Sequence, residues 1–457
     1  MSIDFNLNNY LNREIHCSCG RIHYNPIKLI DIDEGAMKRL PEHIRKLGYE
    51  RIFLVTDQNI WEAAGKYAAQ ELENAGISFG KLILAQEEVI PDEAVIGEIL
   101  TAVPMDTDLI LAVGSGTLND LCKFVSHRMG KDYMIVASAP SMDGFASLGA
   151  PLMLKHVKTT IDAHTPVAII GDLDVLCAAP IHMIAAGLGD TLGKYTCLMD
   201  WKLSRLINDE YYCEEIVGLV EKALQTVMEQ KDLVVKRNPQ AIKAVTEALV
   251  LTGLAMSFAG NSRPASGCEH HFSHFWEMKA LMNGRMPALH GTQVGVGMIL
   301  ALWLYHRLAK EEPDFEEAMK RPFDMQAWEE KMHSYYMDAA DAIISLEKKA
   351  GKNDPEHRNK RLKRMKENWP LIQKMIREEL PETEDMVKLL RSMSAPVEAA
   401  GMGVPAEEIH QAVEAAKEVR DRYTMLQMLW DLGLSESYAE AAEKYCGSLR
   451  ESCTDEK

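Results

Sequence analysis

The chain has 457 residues, 47% apolar and 26% charged, which excludes a disordered or fibrous protein and exceeds the size that one hydrophobic core usually serves. Its formal net charge of -18 disfavours nucleic acid and anionic membranes as partners, because those surfaces attract clusters of Lys and Arg. Nine cysteines, sparse and odd in number, with no basic and then apolar leader in Met1 to Leu11, point to thiols in a reducing cytoplasm.

The first motif in the chain is His16-Cys17-Ser18-Cys19-Gly20-Arg21-Ile22-His23. It looks superficially like a zinc knuckle. C-x-C is not the usual C-x2-C spacing, however, and a second ligand pair is missing, so no functional metal is expected there.

Short runs rich in Val, Ile and Leu follow at Arg51 to Thr56, Lys81 to Ala85, Asp108 to Val113, Tyr133 to Ala137 and Val167 to Gly171. Helical patterns separate them near Ile60 to Ala75, Asp92 to Ala102 and Asn119 to Met129. Continuous apolar strands alternating with helices predict a parallel sheet covered on both faces. This is a doubly wound, Rossmann-like α/β domain, taken as residues 1–178.

Asp57 closes the first of these strands. A carboxylate there could accept ribose hydroxyls and favour NAD over NADP, or it could cap the helix beginning near Ile60. The third strand runs into Gly114-Ser115-Gly116-Thr117-Leu118 and then a helix. A glycine turn from strand to helix lets backbone N–H groups and the helix dipole face a pyrophosphate. The turn lacks the GK[ST] ending of a P-loop and is not G-x-G-x-x-G, so by itself it also fits an ordinary connection.

Past Pro180 the β pattern fades, and residues 179–457 read as an all-α domain that binds metal and substrate. The apolar segments Ala244 to Gly260 and Val294 to Leu308 fall short of about 20 clean residues and are read as buried core helices, not membrane spans. Lys310 to Glu384, with EKKAGKNDPEHRNKRLKRMKE, reads as a solvated helical excursion.

Three features of this half carry metal-ligand chemistry: Asp190 in AAGLGDTLGK, His270 and His274 in SGCEHHFSHFWE, and His290 in PALHGTQVGVG. His270 and His274 stand four apart and share a helical face, whereas His271 points elsewhere. Asp190 alone could equally be a helix cap, and a lone His is more often a core residue. One Asp with two His supplies three protein ligands, however, and leaves the open positions that a catalytic metal needs. Mixed N and O ligation suits Zn, Ni, Fe or Mn. Arg263 in NSRPASG is a candidate donor to a substrate phosphate, or a surface ion pair.

With GSGTLNDLCK, SAPSMDGFAS, GLGDTLGKYTCLMDWKLS, SRPASGCEHHFSHFWE and LHGTQVGVG in this order, the chain resembles the sn-glycerol-1-phosphate dehydrogenase family. That family lies within the group holding glycerol dehydrogenase, iron-dependent alcohol dehydrogenases and 3-dehydroquinate synthase. The likeness runs from about Ile52 to Trp430. It implies a dehydroquinate synthase-like pair of domains with the active site in the cleft between them. It makes Asp190, His270 and His290 the metal ligands, and it assigns Asp143, Asp190 and His274 to substrate contact and catalysis. The cofactor would be held by Gly114, Ser115, Gly116, Thr117 and Leu118 together with Ser138, Ala139 and Ser147.

The reaction so implied is the reversible, NAD(P)H-dependent reduction of dihydroxyacetone phosphate to sn-glycerol-1-phosphate, which leads into phospholipid metabolism. Nickel or zinc would be the metal, and the enzyme a cytoplasmic homodimer. A glycerol dehydrogenase acting on an unphosphorylated polyol and a 3-dehydroquinate synthase-like lyase are the alternatives. Cys268 stands where the family commonly has Ser, and Lys310 to Glu384 and the tail after Leu434 match less clearly.

Overall fold

The computed structural model describes residues 6–86, 88–154 and 157–451, with backbone only at 157 and 158. The chain forms two compact units, one of Met1–Thr191 with Glu214–Ser262 and one of Leu192–Cys213 with Arg263–Lys457.

In the first unit a hairpin of β1 (Arg13–His16) and β2 (Ile22–Asn25) precedes β3 (Leu29–Asp33), β4 (Ile52–Asp57), β5 (Phe79–Leu84), β6 (Leu109–Gly114) and β7 (Asp132–Ala137). A second hairpin, β8 (Gly149–Leu154) and β9 (Val157–Asp162), comes before β10 (Ala168–Asp172). The main sheet has the order β3-β10-β7-β6-β4-β5, and every neighbouring pair is parallel. The five apolar runs of the sequence are five of its strands, with ends shifted by a residue or two. Their near-continuous hydrophobicity has a direct cause: all six residues of β6 are buried, because helices cover both faces.

The sixth strand, β3, is absent from the sequence reading. Two of the five residues in its LIDID pattern are acidic because it lies at an edge, where the burial alternates. The two hairpins are likewise additions.

Strand order fixes where a ligand can bind in this unit. From β4 the chain goes to the edge strand β5, and from β6 it goes the other way, to β7. The helices that leave β4 and β6 therefore diverge, and a crevice opens at the carboxyl ends of these two neighbours. Asp57 and Gly114 are the last residues of β4 and β6.

The Pro239–Ala259 helix is the one among the described residues long and apolar enough to cross a membrane, and 78% of its apolar window is buried inside the protein. One of its polar residues carries a pH prediction. Burial pushes the Glu247 carboxyl up to about 7, with Lys243 opposing and Asp33 adding to the rise; Lys243 itself pairs with Asp33 at 2.9 Å. A carboxyl raised on folding adds stability that is complete below its ordinary value and gone above its folded one. Glu247→Gln is thus expected to stabilise the protein by about 1 kcal/mol at pH 8 and to change little near pH 4.5, as read by urea unfolding at the two pH values.

The second unit is helical throughout its described residues. Its polar stretch is not simply solvated. The Pro355–Glu379 helix buries Leu362, Met365, Trp369, Ile372 and Ile376 along one face, and Arg361 there binds Asp431 through two nitrogens at 2.6 and 2.7 Å. The charged residues of the sequence thus hide an amphipathic helix with a buried bidentate ion pair.

Candidate active site

In the first unit the turn Gly114-Ser115-Gly116-Thr117-Leu118 leads from β6 into the Gly116–Met129 helix, as the motif requires. Gly114 tolerates no side chain, since a Cβ would lie 2.4 Å from Leu118 Cδ1. The N-terminus of this helix opens at the crevice described above and offers backbone N–H groups to an anion. Ser138 follows β7 and donates its N–H to the Gly114 carbonyl at 3.0 Å. Its Oγ is buried with no hydrogen-bond partner. A buried hydroxyl without a partner beside a glycine turn fits a dinucleotide that would supply the missing bond. Asp57 caps the following helix, its Oδ1 accepting the Ile60 N–H at 2.8 Å.

Two features that the sequence did not disclose shape the adjoining DGFAS loop. Lys123 is fully buried, and its ammonium donates to the carbonyls of Gly144 and Gly149 at 2.9 Å each and to Ser147 Oγ at 3.1 Å. It clamps the loop that holds Asp143, while Ala139 is buried beside it. Gly187 lets the Ile181–Leu192 helix approach the same loop, because a Cβ there would sit 1.7 Å from the Pro140 carbonyl oxygen. The close approach brings Asp190 and Asp143 together. The wholly buried Asp190 carboxylate accepts the Asp143 backbone N–H at 2.9 Å through Oδ2.

In the second unit, His270 and His274 lie on the Cys268–Met282 helix and His290 begins the His290–Leu308 helix. The three rings cluster, with centroids 5.1 Å apart for His270 and His290, 6.2 Å for His270 and His274 and 6.0 Å for His274 and His290. Ligand nitrogens of His270 and His290 lie within 4.8 Å of each other. His271 is buried and lies outside the cluster.

Gly297 makes this convergence possible, since a Cβ on it would meet the Glu269 carbonyl oxygen at 2.5 Å. Gly297→Ala must separate the two helices, and it is expected to cost about 2 kcal/mol in urea unfolding and to loosen the histidine cluster.

Glu269 was not singled out in the sequence. It is fully buried; Oε1 accepts the Gly267 N–H at 2.6 Å and lies 2.8 Å from His270 Nδ1, while Oε2 takes the Thr196 hydroxyl at 2.5 Å. With Nδ1 donating to this carboxylate, the lone pair of His270 is on Nε2. Burial raises the Glu269 carboxyl, and the hydrogen bonds from Thr196 and Gly267 oppose the rise, with Lys194 a further opposing charge. Asp200 lies close by, pushed up to about 7 by burial and by Glu269; it accepts from Cys268 N, Met425 N and Tyr305 Oη. Arg263 is engaged by Glu210, its Nε donating at 2.7 Å, and donates from Nη1 to the Tyr423 carbonyl at 2.9 Å.

The profile of the "Iron-containing alcohol dehydrogenase" family matches residues 31–180, a stretch that includes the parallel sheet and the glycine turn. The solved structure of a glycerol dehydrogenase from Schizosaccharomyces pombe shares the fold at a TM-score of 0.60 and 15% identity, covering 93% of this chain and 92% of its own. A 1,3-propanediol oxidoreductase structure gives a TM-score of 0.61 at 16% identity, covering 93% and 100%. The glycerol-1-phosphate dehydrogenase [NAD(P)+] of Halalkalibacterium halodurans is 34% identical over 90% of this chain and 95% of its own length. That of Geobacillus stearothermophilus is 33% identical over 91% and 96%. The chain belongs to the glycerol-1-phosphate dehydrogenase family and is an oxidoreductase.

Proposed function

We propose that this protein is a cytoplasmic homodimeric enzyme that reduces dihydroxyacetone phosphate reversibly to sn-glycerol-1-phosphate, using NAD(P)H and one divalent ion, nickel or zinc. The observation that carries the metal reading is the convergence of His270 and His290, with His270 oriented by a buried carboxylate. A carboxylate that accepts from the far ring nitrogen is the usual means of fixing a metal-binding imidazole. Asp190 supplies the third ligand; it stands two residues before the chain passes into the second unit at Leu192. A donor set of two imidazoles and one carboxylate fits nickel or zinc and leaves positions open.

When bound, the ion and the nicotinamide supply Lewis acidity toward a carbonyl and a hydride, respectively. The residues of this chain do the rest. The Gly114 to Leu118 turn and the Ser138 hydroxyl, with Ala139 and Ser147, bind the dinucleotide, and Asp57 lies at the ribose end of the crevice. Asp143 accepts a substrate hydroxyl from the clamped DGFAS loop. His274, one turn beyond His270, orients the substrate and shares in proton transfer.

The test of substrate class is the consumption of NADH absorbance with dihydroxyacetone phosphate against unphosphorylated dihydroxyacetone. Preference for the phosphorylated ketone supports this reading. Equal or better use of the unphosphorylated one replaces it with a glycerol dehydrogenase, and a lyase of the 3-dehydroquinate synthase type would show no net NADH consumption.

A further inference from the structure

The N-terminal hairpin carries a cluster that the dehydrogenase chemistry does not use. Cys17 and Cys19 lie in the turn between β1 and β2, and His23 lies on β2. The turn folds back on itself: Cys17 Sγ lies 3.5 Å from the Cys19 backbone N–H, and Cys19 Sγ lies 3.5 Å from His23 Nε2. Ligand atoms of all three residues lie within 4.8 Å of one another. For zinc with Zn–S near 2.3 Å and Zn–N near 2.05 Å at a tetrahedral angle, the sulfur to nitrogen separation is about 3.6 Å. The thiol and the imidazole therefore already stand at the spacing of two corners of one coordination sphere.

The imidazole is also oriented for this role. His23 Nδ1 bonds to the carbonyl of Phe258 at 2.9 Å, and the ring packs on the Phe258 ring at 5.9 Å. A carbonyl only accepts, so Nδ1 carries the hydrogen and Nε2 the lone pair, on the side of Cys19. Phe258 lies in the last turn of the Pro239–Ala259 helix, whose terminal carbonyls need partners from outside the helix. A buried His with one nitrogen held by a carbonyl and the other aimed at a thiol is the arrangement of a metal ligand with its outer partner.

We propose that Cys17, Cys19 and His23 hold one zinc-class divalent ion on the hairpin. Thiolates select a soft ion over magnesium, calcium or manganese. The ion fastens the turn to β2 and, through the bond of His23 to the Phe258 carbonyl, to the Pro239–Ala259 helix that supports the DGFAS loop, where Ser257 Oγ donates to the Ala146 carbonyl at 3.2 Å.

The experiment substitutes cobalt for the bound metal in the full-length protein and reads the absorption spectrum together with metal content. The proposed catalytic ligands include no thiolate, so an intense thiolate-to-cobalt charge-transfer band reports on this cluster alone. We expect the band in the wild type, its loss in Cys17→Ser/Cys19→Ser, and the loss of one metal equivalent per chain in that variant. Asp190→Ala should keep the band while losing the other equivalent. A wild-type cobalt protein without the band overturns the proposal even where the serine variant fails to fold, as does finding Cys17 and Cys19 joined in a disulfide after alkylation and mass analysis. If only the dehydrogenase reading fails, the band persists and the second equivalent is absent.

Discussion

Asp190→Ala is expected to lower kcat for NADH oxidation with dihydroxyacetone phosphate by about 10^3-fold or more, with the fold retained by circular dichroism. The substitution removes one of three proposed metal ligands, and it also strips the Asp143 N–H of its acceptor, so the ion and the substrate loop lose their anchor together. Asp190→Asn separates the two effects. Its amide oxygen can still accept from Asp143, but it lacks the anionic charge that favours a divalent ion, so we expect the loop to hold while metal affinity and kcat fall. An alanine variant within tenfold of the wild type would remove Asp190 from the machinery.

Glu269→Gln is the second large effect. An amide can present its oxygen to His270 Nδ1 only by turning its NH2 toward the Thr196 hydroxyl, and it brings no charge to strengthen the imidazole. Loss of such an outer partner typically weakens metal binding by about 10 to 100-fold. The expected result is a metal titration midpoint shifted by that factor, with kcat largely recovered at saturating metal. A merely structural role would lower stability and leave the midpoint unchanged, and Glu269→Asp should recover part of the affinity if the carboxylate is what matters.

The parts of the fold that could be read from the sequence are those where one physical effect dominates. The central strands are buried on both faces, so RIFLVT, DLILAV and VAIIG announce themselves by composition alone. β3 does not, because an edge strand may carry Asp31 and Asp33 and still pair. The glycine turn was legible because only glycine fits beside Leu118, and His270 and His274 because helical periodicity puts them on one face.

What the sequence hid was tertiary. Glu269 is the residue next to His270, and periodicity places neighbours on different faces; its Oε1 nevertheless reaches both the Gly267 N–H and His270 Nδ1. Lys123 ends the GSGTLNDLCK motif, and nothing in its neighbours shows that its ammonium is buried among loop carbonyls. Arg263 read as a phosphate donor or a surface pair, and it is 3% exposed on Glu210. Cys17 and Cys19 have neither the usual C-x2-C spacing nor a second ligand pair in the motif, and both criteria count only neighbours in sequence.

The most direct test of the account is a titration of chelator-stripped protein with nickel or zinc while NADH absorbance is followed with dihydroxyacetone phosphate present. Negligible turnover is expected before addition, with recovery as the ion is added and no recovery in Asp190→Ala. Turnover that ignores the added ion, or that survives in Asp190→Ala, would contradict it.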